Sequence, residues 1–315
     1  MGPAARRVQV EIAVRIATID IGTNTTLLLV AESSDASVVA ERAEITRLGR
    51  GIGADGGLGR QGIDKTLAVL ADYAAIARQH GANIYAIGTE GLRRASNAQD
   101  FLVPAAKALG TAVEVIDGDR EAALTFLAAR RSFPQATLGT AVVVDIGGGS
   151  TEIIVSRGGA VDFRRSLPLG SVRLTEKHVK SDPATAAEIA AVIDEASRLL
   201  AAVPFPDGRA TLIGIAGTVT TLAAMSLTLA SYDPDRVHGH RMSLAALDEQ
   251  IARLRSANQA QREQMPGLDP RRADVILAGA LLLRCIANHA HAPEILVSDR
   301  GIRWGLFFEK AAQPG

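Results

Sequence analysis

The chain has 315 residues, of which 47% are hydrophobic and 22% charged, and its formal net charge is zero. This length favours two domains, and the hydrophobic content favours a compact fold over disorder. Zero net charge excludes a broad basic field of the kind that holds nucleic acid by counterion release. The single cysteine, Cys285, lies in the apolar stretch ADVILAGALLLRCIANHA, which predicts a core thiol in a reducing cytoplasm.

The first half of the chain alternates predicted strands with predicted helices. It opens with VRIATIDIGTNTTLLLVAE, in which an apolar run ends at Asp20, a glycine turn follows and a second apolar run leaves the turn. SVVAERAEITRLG predicts another strand, followed by a turn-rich loop beside a cleft at residues 49–62 and a helix over 63–82. Next come a strand and exit loop in NIYAIGTEGLR, a helix over 97–110 interrupted by Pro104, a strand in AVEVI and the helix DREAALTFLAARRSF. This alternation predicts an α/β fold.

The second half follows the same order. AVVVDIGGGSTEIIVSRGG is another strand, glycine turn and strand, and a predicted loop over residues 164–178 leads to a helix over 183–203. TLIGIAGTVTTLAAMSL predicts a strand, a turn and a helix, and the remainder is mainly helical around the strand EILVSD. Residues 210–232 carry no charge and are long enough to cross a bilayer, but their threonines, glycines and internal turn favour a buried strand and helix.

The two strand–turn–strand units are copies of one another. Placing Asp20 on Asp145 also places Gly22 on Gly147, Thr25 on Ser150 and Leu27 on Glu152. The copies are about one domain length apart. Two such turns facing each other across a cleft would surround a phosphate chain with backbone N–H groups, hydroxyls and two carboxylates. The repeat therefore predicts a phosphate-handling enzyme.

Three acidic residues of the two copies are candidates for chemistry. Asp20 and Asp145 end their strands just before a turn, where a carboxylate can hold Mg²⁺ together with waters and substrate phosphates. The alternative is that each aspartate hydrogen-bonds its own turn. Glu152 is an acid where the other copy has Leu27, which suggests a site, although a solvent-facing strand position also explains it.

Further candidates lie outside the repeat. Glu121 is in the first turn of a predicted helix, where acids commonly favour the helix dipole. Arg93 and Arg94 follow a strand at what should be a cleft edge, and guanidinium groups suit phosphate oxygens, although solvated arginines are as common. The segment GIAGTVTT resembles a third turn of this kind and could hold a nucleotide base or sugar, or could be a packing turn.

These motifs resemble the Ppx/GppA family of exopolyphosphatases and guanosine pentaphosphate phosphohydrolases, within the actin, sugar kinase and heat-shock chaperone superfamily. The resemblance runs from about residue 15 to 306 through IDIGTNTTLLLV, GTEGLRRASNAQDF, DGDREAAL, VVVDIGGGSTEIIV, LPLGSVRLTE, GIAGTVTT, MPGLDPRRADVILAGALLL and VSDRGIRWGL. It implies two ribonuclease-H-like α/β domains with an interdomain cleft. We expect them at residues 1–135 and 136–315, with the final helix packing back on the first domain.

The resemblance also implies residue roles. Glu121 corresponds to the family's catalytic glutamate, which positions and deprotonates the attacking water, and Arg93 to a phosphate-contacting arginine. Asp145, Glu152 and Asp20 correspond to acids at the metal and the scissile phosphate. The two phosphate loops comprise Gly22, Thr23, Asn24 and Thr25, and Gly147, Gly148, Gly149 and Ser150.

Two positions depart from the family pattern. Many relatives carry an acid at the position of Arg120, beside the catalytic glutamate, and a cation there could alter the pKa of Glu121 or the grip on substrate. Trp304 likewise stands where an acid is common, and we assign it no function.

The expected activity is release of terminal orthophosphate from inorganic polyphosphate, by attack of Glu121-activated water with Mg²⁺ or another divalent cation such as Mn²⁺. Guanosine pentaphosphate is the alternative substrate. A nucleotide or alarmone sensor without turnover and an ATP-dependent sugar or acetate kinase are the other possibilities for this fold. We expect a cytoplasmic homodimer without nucleic-acid or membrane binding, and a short form of the family, because a chain ending at Gly315 leaves no room for additional C-terminal helical domains.

Overall fold

A computed structural model describes residues 14–50 and 56–313. The turn-rich loop predicted beside the cleft falls partly in residues 51–55, which lie outside the described residues. The elements up to residue 138 are β1 (Arg15–Ile21), β2 (Thr25–Glu32), β3 (Val38–Ile45), α1 (Arg60–Gln79), β4 (Asn83–Gly88), α2 (Glu90–Arg94), α3 (Ala98–Leu109), β5 (Val113–Val115), α4 (Gly118–Ser132) and α5 (Pro134–Leu138).

The second half continues the same alternation of strands and helices. Its elements are β6 (Thr140–Ile146), β7 (Thr151–Arg157), β8 (Ala160–Leu167), α6 (Ser171–His178), α7 (Ala186–Leu200), β9 (Thr211–Ile215), α8 (Ala216–Ser226), α9 (Pro234–Val237), β10 (Arg241–Ser243), α10 (Leu244–Ser256), α11 (Gln259–Arg262), a 3₁₀ turn (Pro270–Arg272), α12 (Ile276–His289), β11 (Glu294–Val297) and α13 (Ile302–Ala311).

The described strands form two mixed sheets with matching topology. One has the order β3-β2-β1-β4-β5 and the other the order β10-β11-β9-β6-β7-β8. In each sheet the first two strands of the half pair antiparallel, and the first also pairs parallel with the fourth. The strands that carry the repeat are buried on both faces, which explains their near-continuous apolar runs. The predicted fold of two ribonuclease-H-like α/β units is confirmed.

Two local predictions were wrong. Helix α3 runs without a break through Pro104, because Phe101, Ala105 and Leu109 bury one face of it. Proline has no backbone N–H, so the carbonyl of Asp100 lacks its usual helical hydrogen bond. Asp100 is exposed, so water can bond to this carbonyl instead. The predicted loop over residues 164–178 is the end of β8 followed by helix α6, since Arg164 and its neighbours pair with β7.

Helices α4 and α13 join the two sheets. Phe126 of α4 packs with Ile154 and other core residues of the second sheet, whereas Phe307 of α13 packs with Leu29 of the first sheet. The two helices contact each other closely, because Gly305 has no side chain to keep α13 away from the backbone of α4. Each half therefore contributes a helix to a layer that both sheets share.

The uncharged segment at residues 210–232 forms β9, α8 and the turn after them. Helix α8 has 11 residues and is buried against the second sheet. Within residues 14–50 and 56–313, no helix has the length and apolar character that crossing a bilayer requires.

Candidate active site

A cavity of about 680 Å³ opens where the two sheets present the ends of β1 and β6. Both glycine turns, the four candidate acids and the start of α8 line it, so the structure brings these parts together. Among the lining residues are Asp20, Gly22, Thr23, Asn24, Thr25, Glu121, Asp145, Gly147, Gly148, Gly149, Ser150, Glu152, Gly217, Thr218 and Arg272.

The sequence repeat recurs as a repeat of backbone geometry. In the first turn, residues 22–25, the Gly22 N–H donates to the Thr25 carbonyl at 3.0 Å. In the second turn, residues 147–150, the Gly147 N–H donates to the Ser150 carbonyl at the same distance. The turns also meet directly, because a Cβ on Gly148 would lie only 3.2 Å from that of Asn24. The two turns, with their backbone N–H groups, therefore line the same cavity.

The copies differ at the position opposite each aspartate. Asp20 pairs across the strands with Leu27, whereas Asp145 pairs with Glu152. Side chains directly opposite each other on antiparallel strands lie on the same face of the sheet. The second copy thus places two carboxyl groups side by side, where the first has one carboxyl and an apolar neighbour.

Burial raises the pKa of all four acids. The pKa of Asp20 rises to about 7, although the Arg303 guanidinium opposes the shift. Burial raises the pKa of Glu152 to about 7, although hydrogen bonds that it accepts oppose the shift. Burial and the Glu152 charge raise the pKa of Asp145 and of Glu121 well above their usual range. These acids repel one another, so the site favours a proton or a cation among them.

Glu152 is held by two serine hydroxyls. Ser150 Oγ donates to its Oε1 at 3.0 Å, and Ser166 Oγ donates to the same atom at 2.6 Å. The Glu152 side chain is buried, so the alternative of a solvent-facing strand position does not apply. Ser166 lies on β8 and carries no motif that would have identified it in the sequence.

Glu121 lies in the first turn of α4, with its carboxylate bonded to Arg93. Arg93 Nη1 donates to Glu121 Oε2 at 3.1 Å and to the Ile116 carbonyl at 2.6 Å. Glu121 lines the large cavity, whereas Arg93 lines a second cavity of about 510 Å³ beyond it. The structure therefore places Arg93 against the carboxylate of Glu121, and not between the two glycine turns.

The acids are suitable ligands for a hard divalent cation. Asp20 Oδ1 is buried with no hydrogen-bond partner among the described residues, and Asp145 and Glu152 add carboxylate oxygens close to it. Magnesium commonly takes one or two protein carboxylates and completes its shell with water and substrate phosphates. In the described part of the chain no group of three or more His, Cys, Asp or Glu side chains is arranged to hold a metal by itself. The residues fit a cation that is shared with substrate.

The structure adds Arg272 to the cavity. Its guanidinium donates to Thr25 Oγ1 at 3.2 Å and lies against Gly217, where a Cβ would overlap it. It also lies beside the N-terminal end of α8, which the GIAGTVTT turn forms. The DPRRADV motif is the signal that could have pointed to it, but spacing alone does not assign Arg272 a role.

The two departures from the family pattern face away from the cavity. Arg120 makes a two-pronged ion pair with Glu309 of α13, with both N–O distances 2.5 Å. Trp304 is buried on α13, where it packs with Phe307 and under the Arg300 guanidinium. Both residues belong to the contact that joins the two sheets.

Comparison with known proteins places these features in a family. The model of the Ppx/GppA phosphatase family matches residues 29–313. Exopolyphosphatase 2 of Mycobacterium tuberculosis is 35% identical over 93% of this chain and 97% of its own length. The guanosine-5'-triphosphate,3'-diphosphate pyrophosphatase of Vibrio cholerae is 29% identical over 93% of this chain and 58% of its length. The solved structure of the Aquifex aeolicus PPX-GPPA enzyme superposes with a TM-score of 0.80 at 34% identity, covering 94% of this chain and 99% of that one.

Proposed function

The chain belongs to the Ppx/GppA phosphatase family, and we propose from this premise that it releases terminal orthophosphate from inorganic polyphosphate. The observation that carries the proposal is the Glu121 carboxylate, which faces the cavity of the two glycine turns and is bonded to Arg93 at 3.1 Å. The similarity to an exopolyphosphatase along almost its whole length supports this substrate.

Glu121 acts as the general base. A water molecule attacks the terminal phosphorus, its proton passes to the Glu121 carboxylate, and the bond to the bridging oxygen breaks. The products are orthophosphate and a chain one phosphate shorter. Because burial and the Glu152 charge raise the pKa of Glu121, the carboxylate is a stronger base than an exposed glutamate. Arg93 fixes the direction of its oxygens.

The two turns bind the phosphoryl oxygens. Their glycines allow backbone N–H groups to approach the substrate closely, and the Thr25 hydroxyl and the Arg272 guanidinium add further donors at the same cavity. One or two of the carboxylates of Asp20, Asp145 and Glu152, together with water and substrate phosphates, would hold a divalent cation, which neutralises phosphate charge when it is bound. General-base catalysis contributes about 10²- to 10⁴-fold, whereas enzymes commonly accelerate reactions by about 10⁶-fold or more. Most of the remainder must come from these preorganised groups.

Guanosine pentaphosphate is the second candidate substrate. The lining of the cavity also includes an apolar set of side chains, Leu229, Tyr232, Pro234, Leu268 and Pro270. An apolar wall with an aromatic ring suits a nucleoside, which inorganic polyphosphate lacks. The similarity to the Vibrio cholerae pyrophosphatase supports the same candidate.

A phosphate-release assay separates the candidates. The full chain is incubated with Mg²⁺ and long-chain polyphosphate, short-chain polyphosphate, guanosine pentaphosphate or ATP in parallel. We expect the highest kcat/KM on polyphosphate. A preference for guanosine pentaphosphate would replace the first candidate with the second. Binding without phosphate release, or transfer to an acceptor, would refute both.

We also propose a cytoplasmic homodimer with domains at residues 1–135 and 136–315. Family members are commonly dimers, and the lone Cys285 is a buried free thiol. Light scattering on the purified chain at low micromolar concentration measures the mass that tests the dimer.

A further inference from the structure

We propose that Glu90 is a positioning residue that links the two glycine turns and sets the distance between them. It is the first residue of α2, and only 8% of its side chain is exposed. The inference rests on the proposed phosphate hydrolysis, for which the turns bind the substrate. Glu90 itself need not touch the reacting atoms.

The link to the first turn is direct. Thr23 Oγ1 donates to Glu90 Oε2 at 3.3 Å. The next residue, Gly91, would bring a Cβ within 3.2 Å of the same hydroxyl, so the start of α2 lies against this turn. Glu90 therefore fixes the middle of the first turn relative to α2.

The link to the second turn runs through Arg173 of α6. Its guanidinium donates to Glu90 Oε1 through Nη2 and to the Gly149 carbonyl through Nε, the latter at 2.8 Å. The Arg173 N–H also donates to the Gly148 carbonyl at 3.0 Å. Gly149 is packed against the Glu90 carboxylate so closely that any side chain there would overlap Oε2.

Charge explains why a carboxylate is tolerated beside the phosphate turns. Arg94 and Arg173 both pair with Glu90 Oε1, so its charge is compensated. Of these two arginines, Arg173 is the one that belongs to the second half of the chain. Arg94 is four residues along the same helix and is half exposed, and the structure of the described residues shows no hydrogen bond from its side chain to either turn.

The same short helix also carries Arg93, which is bonded to Glu121. A shift of α2 would therefore move the first turn, and the Arg93 guanidinium that orients the Glu121 carboxylate, relative to the second turn. Misplacement of reacting groups by about 1 Å can cost a factor of about 10² in rate. Loss of the link should therefore lower kcat more than it raises KM.

The test compares Glu90→Gln, Arg173→Gln and their double variant with wild type. Each single variant should lower kcat about 10- to 100-fold, because a charge-assisted hydrogen bond contributes about that factor. The double variant should be no slower than the slower single one, since both break the same link. Arg173→Lys should behave like Arg173→Gln, because an ammonium keeps the charge but cannot bridge Gly149 and Glu90 in the guanidinium geometry.

Arg60→Gln is the matched control. It removes an exposed ion pair between residues four apart on α1, Arg60 and Asp64, which line neither cavity, and it should change kcat less than about threefold. Wild-type kcat in Glu90→Gln, or losses that multiply in the double variant, would overturn the proposal. Thermal unfolding of every variant excludes loss of the fold as the cause.

Amide hydrogen exchange provides a readout that does not need turnover. Exchange at residues 147–150 should speed up in Glu90→Gln although the substitution is on the other half of the chain. If wild type released no phosphate from any substrate, the proposed function would fail, and exchange would still test the link. Unchanged exchange in Glu90→Gln would overturn the link whatever the activity.

Discussion

Replacing Glu121 by glutamine tests the role of the base most directly. The amide keeps the shape of the side chain and can still accept a hydrogen bond from Arg93, which lies 3.1 Å from the present carboxylate. It cannot take a proton from water. The substitution therefore removes the base and leaves the two glycine turns intact.

The expected loss follows from the role assigned to Glu121. Removing a general base lowers the rate about 10²- to 10⁴-fold, which corresponds to about 2.7–5.5 kcal/mol of transition-state stabilisation. The fall should appear in kcat, with little change in KM, because the proposed binding groups for the substrate phosphates are the turns and Arg272, which the substitution leaves in place. In wild type, kcat/KM should rise with pH through an apparent pKa above 4.5, since the pKa of Glu121 is raised and only the ionised base is active.

Glu121→Gln should lower activity, but it should not lower the free energy of unfolding at pH 8. Because the pKa of Glu121 is higher in the folded state than in the unfolded chain, folding takes up a proton between these values. The free energy of unfolding of wild type therefore falls as pH rises from about 4.5 through the pKa that Glu121 has in the folded state. The glutamine variant has no carboxyl group at this position, so its stability does not fall in this way. We expect the variant to be at least as stable as wild type at pH 8, with the difference shrinking towards pH 5.

Phosphate release and thermal unfolding across pH 5–8 measure both effects. Glu294→Gln is the control, since Glu294 pairs with Arg241 on the surface, and it should leave both measurements unchanged. Full phosphate release by Glu121→Gln would refute the mechanism. A large drop in the Tm of Glu121→Gln at pH 8 would refute the conclusion that the buried, ionised carboxylate of Glu121 destabilises the folded protein.

Two further predictions concern stability. Gly305→Ala should cost about 1–3 kcal/mol in urea unfolding, because the new methyl group overlaps the Leu124 carbonyl where α13 meets α4; Gly208→Ala, with nothing near its Cβ, is the control, and equal effects would contradict the reasoning. Thr185→Ala should cost about 1 kcal/mol at pH 7 by removing the cap of α7. The substitution removes the bond from the Glu188 N–H to Thr185 Oγ1 but keeps the Thr185 and Lys180 backbone N–H groups, which are the main cause of the low pKa of Glu188. The cost should therefore change little between pH 7 and pH 4.5; a cost that disappears over this range would contradict this.

Local sequence patterns predicted most elements because they depend on near neighbours. Alternating apolar runs and helical spacing gave the order of strands and helices, and the order of residues alone marks the two DIG turns as copies of one another. The errors fell where a distant partner decides the local state. Pro104 remains inside a helix because Phe101 anchors that helix to the core, and Arg164 extends a strand because β7 pairs with it.

The residues of the candidate site also divide into those that local sequence patterns indicate and those that only distant contacts reveal. The sequence alone indicated Asp20 and Asp145 through the repeat, and Glu152 through the position at which the second copy has an acid and the first has Leu27. Its resemblance to a family pointed to Glu121, which helix-start statistics would have dismissed. No pattern in the sequence revealed Glu90, because its partners lie 67 and 83 residues away along the chain.

The sequence by itself therefore determined the two turns, their acids and the α/β order, since each of these depends on residues adjacent in the chain. Only the tertiary structure decided that Asp145 faces Glu152 across paired strands and that Arg93 holds the Glu121 carboxylate. The same holds for the desolvation that raises the pKa of the acids, because burial is a property of the whole packed chain. The residues of the two glycine turns are recognisable from short stretches of sequence. The raised pKa of Glu121 and the distance between the two turns, in contrast, arise from contacts between the two halves of the chain.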